Sequence, residues 1–190
     1  MPVLPKAGPF NFTLFLGSKS GIIYIVLNLD LYLFNLINGL SKKSKILDFF
    51  AIFCAEYLAY ILIVILAIFA YTINFWPVFL IPVFAGFFAR FIINEIIYLF
   101  YQRKRPLEVL SIDSLIKKPY HPGFPSGHSS FFFAFSFALF LFNLPLAIIF
   151  TFVTFLVCLS RVFCGVHWPS DILAGVGVAG ITFLILQLIW

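Results

Sequence analysis

Between Ser160 and Asp171 the chain reads SRVFCGVHWPSD, which gathers an arginine, a histidine and an aspartate in otherwise apolar surroundings. His167 and Asp171 stand four residues apart, and Pro169 followed by an apolar run marks a helix start, so one turn brings the carboxylate to the imidazole. A carboxylate placed there can orient a histidine. Arg161, six residues before His167, is close enough to hold an anion that the imidazole attacks, since a guanidinium matches phosphate oxygens in a bidentate fork. The plain alternative is that a histidine near a helix start is structural and that the polar residues anchor a membrane helix end.

Two other stretches carry related chemistry. HPGFPSGHSS, from His121 to Ser130, breaks the chain with proline and glycine just before a run rich in Phe and Ala. Ser126 reads as a helix N-cap, which leaves backbone N–H groups near Gly127 and His128 free to receive an anion at the positive end of the helix; a cap alone is the competing reading. QRKRP, from Gln102 to Pro106, sets three positive charges against a proline, either as a phosphate cluster or as the basic flank of a membrane helix. Between the two, a polar loop holding Glu108, Asp113, Lys117, Lys118 and His121 is long enough to act as a lid.

The elements that must position these clusters are membrane helices. At 63% hydrophobic and 10% charged residues, the chain is too apolar for a soluble fold. Apolar runs over residues 46–73, 75–102, 129–142, 146–160 and 172–190 approach the roughly 20 residues that cross a bilayer. The expected architecture is all-α, a polytopic membrane helix bundle of five to six transmembrane helices. Residues 1–29 read as a lead-in with a possible first membrane segment, and residues 30–190 as the membrane domain. Gly21–Leu40, interrupted by Asn28, Asp30, Asn35 and Asn38, is either a short span or a helix lying at the interface. Glu56, Arg90 and Glu95 fall inside spans, where ionisable groups face the bundle interior or pair with one another. Ala174, Gly175, Gly177, Ala179 and Gly180 open the last span with small residues suited to close helix packing.

Cys54, Cys158 and Cys164 imply no disulfide framework. The net charge of +5 lies in short clusters between apolar runs, which argues for phosphate or anionic headgroups and against nucleic acid. Alternating the spans puts QRKRP, PSGH and SRVFCGVHWPSD on one membrane face.

Arg-Pro at 105–106, PSGH at 125–128, and Ser160-Arg161, five residues, His167, three residues, Asp171 together resemble the three signatures of the type 2 phosphatidic acid phosphatase superfamily. The first departs from the pattern: the usual basic residue seven before the arginine of Arg-Pro is here Tyr98. Arg103 before Arg105 is similar to the Arg-x-Arg-Pro form of undecaprenyl-diphosphate phosphatases in this superfamily, and is expected to supply the absent charge. The resemblance implies a membrane lipid phosphatase with His167 as nucleophile, Asp171 fixing its tautomer, and His128 protonating the leaving group. Arg105, Ser126, Gly127, Arg161 and Arg103 are the implied phosphate ligands. It implies no metal and no cofactor, a lipid phosphate as substrate, the bilayer as partner, and a multi-pass protein of the cytoplasmic membrane with its site facing outward. Lys42, Lys43 and Lys45, on the same face, argue for the opposite orientation by the positive-inside rule.

Three alternatives remain open at this stage. One is a zinc site of His121, His128, His167 and Asp171, against which the neighbouring arginines weigh. Another is a glycerolipid phosphate, such as phosphatidic acid or phosphatidylglycerol phosphate, in place of undecaprenyl diphosphate. The last is a non-catalytic protein that binds anionic lipid.

Overall fold

The computed structural model describes residues 21–117 and 120–189, with side chains from Asn28 onward; the lead-in at 1–20 and Lys118 lie outside the described residues. The described residues are helical throughout their regular structure. In chain order the helices are α1 (Gly21–Asn38), α2 (Lys45–Thr72), α3 (Pro77–Phe100), the single turn α4 (Pro106–Val109), α5 (Gly127–Leu141), α6 (Leu144–Phe163) and α7 (Pro169–Ile189). Four of them, α2, α3, α6 and α7, are long and apolar enough to cross a membrane, and α5 is a shorter apolar helix.

Local signals set the ends. Ser44 caps α2 through its hydroxyl, Ser126 caps α5, and the Asn143 side chain accepts the Leu146 N–H at 2.9 Å to start α6 after a tight reversal. Pro77 and Pro169 occupy the opening positions of α3 and α7, where the missing N–H costs nothing. Phe75 in the α2–α3 turn and Phe142 in the α5–α6 turn stack edge to face, with ring centroids 6.0 Å apart. Those two turns therefore share one end of the bundle. Lys45, Phe100, Gly127, Phe163 and Pro169 share the other, as the alternation of spans required.

α5 is the central helix. It packs on α3, α6 and α7, and Ser129, Phe132, Phe133, Ala134, Phe135, Ser136 and Ala138 are all buried. Surrounded by protein, it needs no full bilayer length of its own. Close approach to α7 depends on Gly175, where a Cβ would sit 2.5 Å from the Cβ of Ser129; nothing lies within 4 Å of a Cβ at Gly177 or Gly180. The small-residue stripe thus works at one glycine, and Ala179, fully buried, fills the next contact. Outward, α2 presents Tyr57, Tyr60, Val64, Ile65 and Ile68 as exposed apolar surface suited to lipid.

α1 resolves the choice left by its polar interruptions. Asn38 donates to the Phe163 carbonyl at 2.7 Å, and Asp30 accepts the Ser170 N–H at 2.8 Å. Those partners both lie at the end where α6 stops and α7 starts. Eight residues of helix span about 12 Å, so the stretch from Asp30 to Asn38 runs across that end of the bundle. Phe34, buried against Trp168 with centroids 5.2 Å apart, pins it there.

Candidate active site

The end of α6 delivers the first residues. Arg161 lies in its last turn, and the helix closes with Gly165 at φ +85°, a left-handed position that glycine takes without penalty. Gly165 N–H donates to Val162 O at 3.0 Å and Val166 N–H to Arg161 O at 3.2 Å, a Schellman pair that turns the chain back and places His167 immediately after it. α7 then starts at Pro169. In its first turn the Asp171 carboxylate reaches back to accept the Trp168 N–H at 2.9 Å, as the acidic member of a capping box does.

His167 and Asp171 meet as their spacing implied: Nδ1 lies 3.5 Å from Asp171 Oδ2, and both residues are buried. On the other side of the ring, Arg105 Nη1 is 2.9 Å from His167 Nε2. A guanidinium can only donate, so Nε2 carries the lone pair and Nδ1 the proton that faces Asp171. Burial first, then the charges of Arg105 and Arg161, push the His167 imidazole well below the usual histidine range, against an opposing backbone hydrogen bond at Gly123. The ring is neutral at physiological pH, and its one lone pair, on Nε2, is received here by Arg105.

Arg105 also donates to Val166 O at 2.8 Å, His121 O at 3.0 Å and Pro122 O at 3.1 Å. Burial and neighbouring Arg161 lower its pKa to about 10, which leaves it charged at neutral pH. These contacts, with Gly123 N–H on Arg103 O at 3.0 Å and Leu115 N–H on Cys164 O at 3.2 Å, staple the polar loop across the site. The loop is a bound strap here, with Ile116 in a small core cluster beneath it.

Arg161 is 3% exposed, and its Nε has no hydrogen-bond partner among the described residues. Its Nη1 donates to Ala55 O at 3.1 Å and lies 3.6 Å from Glu56 Oε1. That carbonyl belongs to a π-helical turn of α2, Cys54–Leu58, whose widened ladder lets a main-chain oxygen look into the bundle. At the start of α5, Ser126 is fully buried and its N–H donates to Asp171 O at 3.0 Å, which ties this helix start to the His167–Asp171 turn. His128 follows on the first turn, within electrostatic reach of Arg161, His167, Arg90 and Arg105. Gly127 lies against Arg90: a Cβ would sit 2.5 Å from Arg90 Nε.

The Arg103 guanidinium is engaged by two carboxylates. Its Nη2 is 2.6 Å from Asp30 Oδ2, and its Nη1 donates to Ser170 Oγ and, at 2.9 Å, to Asp171 Oδ1. It braces Asp171 from behind, where the sequence suggested a phosphate contact. Tyr98, at the usual basic position, is buried and donates its hydroxyl to Pro125 O at 2.8 Å, so it holds the PSGH loop. His121 is exposed, and its carbonyl, not its ring, serves the site. Reading the sequence missed Asp30 as a site residue; its signal was an aspartate inside an apolar run. Arg90 and Glu95 pair at 2.7 Å as expected, while Glu56 turns to Arg161 instead.

The PAP2 superfamily model matches residues 76–190, which is more than half of the chain. The chain belongs to the PAP2 superfamily. All three motif clusters lie within the matched segment. The chain is 30% identical over 151 residues to the bacitracin transport permease protein BcrC of Bacillus licheniformis, covering 78% of this chain and 73% of that protein. It is 31% identical over 152 residues to the undecaprenyl-diphosphatase BcrC of Bacillus subtilis strain 168, covering 77% of each. Among solved structures, Aquifex aeolicus LpxE superposes with a TM-score of 0.63 at 26% identity, over 83% of this chain and 93% of that one. A PAP2-type phosphatidylglycerolphosphate phosphatase from Bacillus subtilis, at 20% identity and a TM-score of 0.64 over 86% and 85%, shares the fold.

Proposed function

We propose that this PAP2-superfamily membrane phosphatase hydrolyses a lipid diphosphate, undecaprenyl diphosphate being the best candidate, through a phosphohistidine formed on His167. The observation that carries the mechanism is the neutral His167, with Asp171 on Nδ1 and Arg105 on Nε2, facing a buried Arg161 whose Nε is unpartnered among the described residues. Such an unsatisfied buried donor is costly unless a ligand completes it. The substrate is supported by the name of the Bacillus subtilis relative.

In the first step the substrate phosphate draws Arg105 Nη1 away from Nε2, which attacks the terminal phosphorus; an N–P bond forms and the bond from phosphorus to the leaving oxygen breaks. Asp171 stabilises the positive charge that develops on the ring. With the anionic substrate bound and offsetting the surrounding guanidinium charges, a protonated His128 gives its proton to the leaving oxygen. In the second step water attacks the phosphohistidine, His128 takes back a proton, and the N–P bond breaks to release phosphate. Arg105, Arg161, the α5 N-terminus at Ser126 and Gly127, and Arg103 through Asp171 supply positioning and charge. No metal enters the scheme, because guanidinium groups occupy the positions around His167 where a divalent cation would be repelled.

The protein is multi-pass. We place it in the cytoplasmic membrane with the site outward, and assign Lys42, Lys43 and Lys45 to headgroup contact. Purified protein in detergent, given undecaprenyl diphosphate, phosphatidic acid and phosphatidylglycerol phosphate, should release phosphate fastest from the first, with an acid-labile, alkali-stable label on the wild type and none on His167→Ala. Faster release from either glycerolipid would transfer the assignment to that class, and a labelled His167→Ala protein would remove His167 as nucleophile.

A further inference from the structure

Arg90 lies in the middle of the apolar helix α3, yet its side chain turns inward and is about nine-tenths buried. The residues around it are in a π-helical turn, Ala89–Ile93, the second such turn in the bundle. Such a turn inserts an extra residue and re-aims the side chains on it, and it recurs at functional sites. The first π-helical turn supplies the carbonyl that receives Arg161; the second carries a charge of its own toward the same helix start. Arg90 packs on Gly127, where any Cβ would strike its Nε, and its guanidinium carbon lies 5.5 Å from the Tyr98 ring centroid. Its Nη1 pairs with Glu95, whose side chain is 47% exposed.

Arg90, Gly127 and His128 line one open groove of about 300 Å³, whose other walls include the exposed rings of Tyr60, Phe87 and Phe91. The groove is therefore polar at the end where α5 begins and aromatic beyond. His128 joins it to the catalytic cluster. A leaving group protonated by His128 would lie in this groove, one phosphate beyond the phosphorus attacked by His167, with its hydrocarbon along the rings.

We infer that Arg90 binds the non-transferred phosphate of a lipid diphosphate and so makes the site selective for diphosphates over monophosphates. This rests on the proposed reaction at His167. A monophosphate, seated on Arg105 and Arg161, places no phosphate beside Arg90. A diphosphate places one there, and the guanidinium neutralises the charge that builds on that phosphate as it leaves. Glu95, half exposed, holds the arginine in place until substrate arrives.

The test is phosphate release from undecaprenyl diphosphate and from undecaprenyl monophosphate by wild type, Arg90→Ala and Arg90→Lys in the same detergent. Arg90→Ala should lower kcat/KM for the diphosphate by about tenfold to a hundredfold and for the monophosphate by less than about threefold. Arg90→Lys should recover part of the diphosphate loss. Equal losses on both lipids would make Arg90 a packing residue and overturn the inference, as would an unaffected diphosphate rate. Should Arg90→Ala be inactive on both, the Arg90→Lys ratio decides, and a ratio equal to that of wild type overturns it. If the wild type releases phosphate from neither lipid, the reaction itself has failed, which is a different outcome from an active enzyme with an unchanged ratio.

Discussion

The polar groups behind His167, which are Asp30, Arg103, Ser170 and Asp171, hold one another in a closed set of contacts of 2.9 Å or less. Those in front of it, Arg161, Arg90 and His128, share looser terms: one guanidinium nitrogen is unpartnered among the described residues, and another arginine leans on a half-exposed glutamate. A buried charge without full compensation costs several kcal/mol, and a bundle keeps such groups only where something else satisfies them. The contrast is the one expected between a scaffold and a ligand site. Arginine content alone would not show it, since each region has its share.

The comparison can be broken most sharply at the residue between the two regions. His167→Ala should abolish phosphate release, by at least about a thousandfold, in a protein that still elutes as a folded monodisperse species, because no neighbour can replace the nucleophile. Activity within a few-fold of wild type would end the proposed mechanism. Behind the histidine, Arg103→Ala leaves the Asp30 and Asp171 carboxylates buried without their common partner. It should cost about 3–5 kcal/mol in stability, seen as a large drop in melting temperature that Lys104→Ala does not share. In front, Arg161→Ala should lower stability less than Arg103→Ala does, since it strands the Ala55 carbonyl and a half-exposed Glu56 but no buried carboxylate, and should lower kcat/KM by about tenfold to a hundredfold. If Arg103→Ala proved stable but Arg161→Ala unfolded, the assignment of the two regions would be reversed.

The pH dependence sharpens the same contrast. His167 is held below the usual histidine range, so its nucleophilic form persists as the pH falls through about 6.5, the ordinary value. The unfolded chain takes up a proton at that pH and the folded one does not; this group therefore lowers stability as the pH falls below about 6.5, and contributes nothing above it. Arg105→Gln removes the nearest charge that depresses the ring, so the acid limb of kcat/KM should move to higher pH. An unmoved limb would show that burial alone sets the value. The smallest expected effect is that of Tyr98→Phe, which loses one hydrogen bond to Pro125 O, worth about 1 kcal/mol. A fall of up to about fivefold in kcat/KM, with no change in the acid limb, would fit a tyrosine that positions the loop.

By itself the sequence determined the helical class, the five apolar runs of the bundle, the face on which the three clusters meet, and the His167–Asp171 pair. Each of these depends on periodicity, length in a bilayer, or neighbours within one turn, and such information is local. The tertiary structure decided which arginine does what. Arg103 and Arg105 are two residues apart in an extended segment, so their side chains leave on the same side by simple alternation. Yet one reaches Asp30, 73 residues away, and the other His167, 62 residues away. Asp30 looked like an interruption of a span and became the anchor of the brace, because α1 crosses the end of the bundle. Arg90 looked like a support for Glu95, and only the π-helical turn and the missing side chain at Gly127 brought it to His128. A guanidinium extends far enough to choose among several partners, and helix packing, which no local pattern encodes, decides which of them lies within its reach.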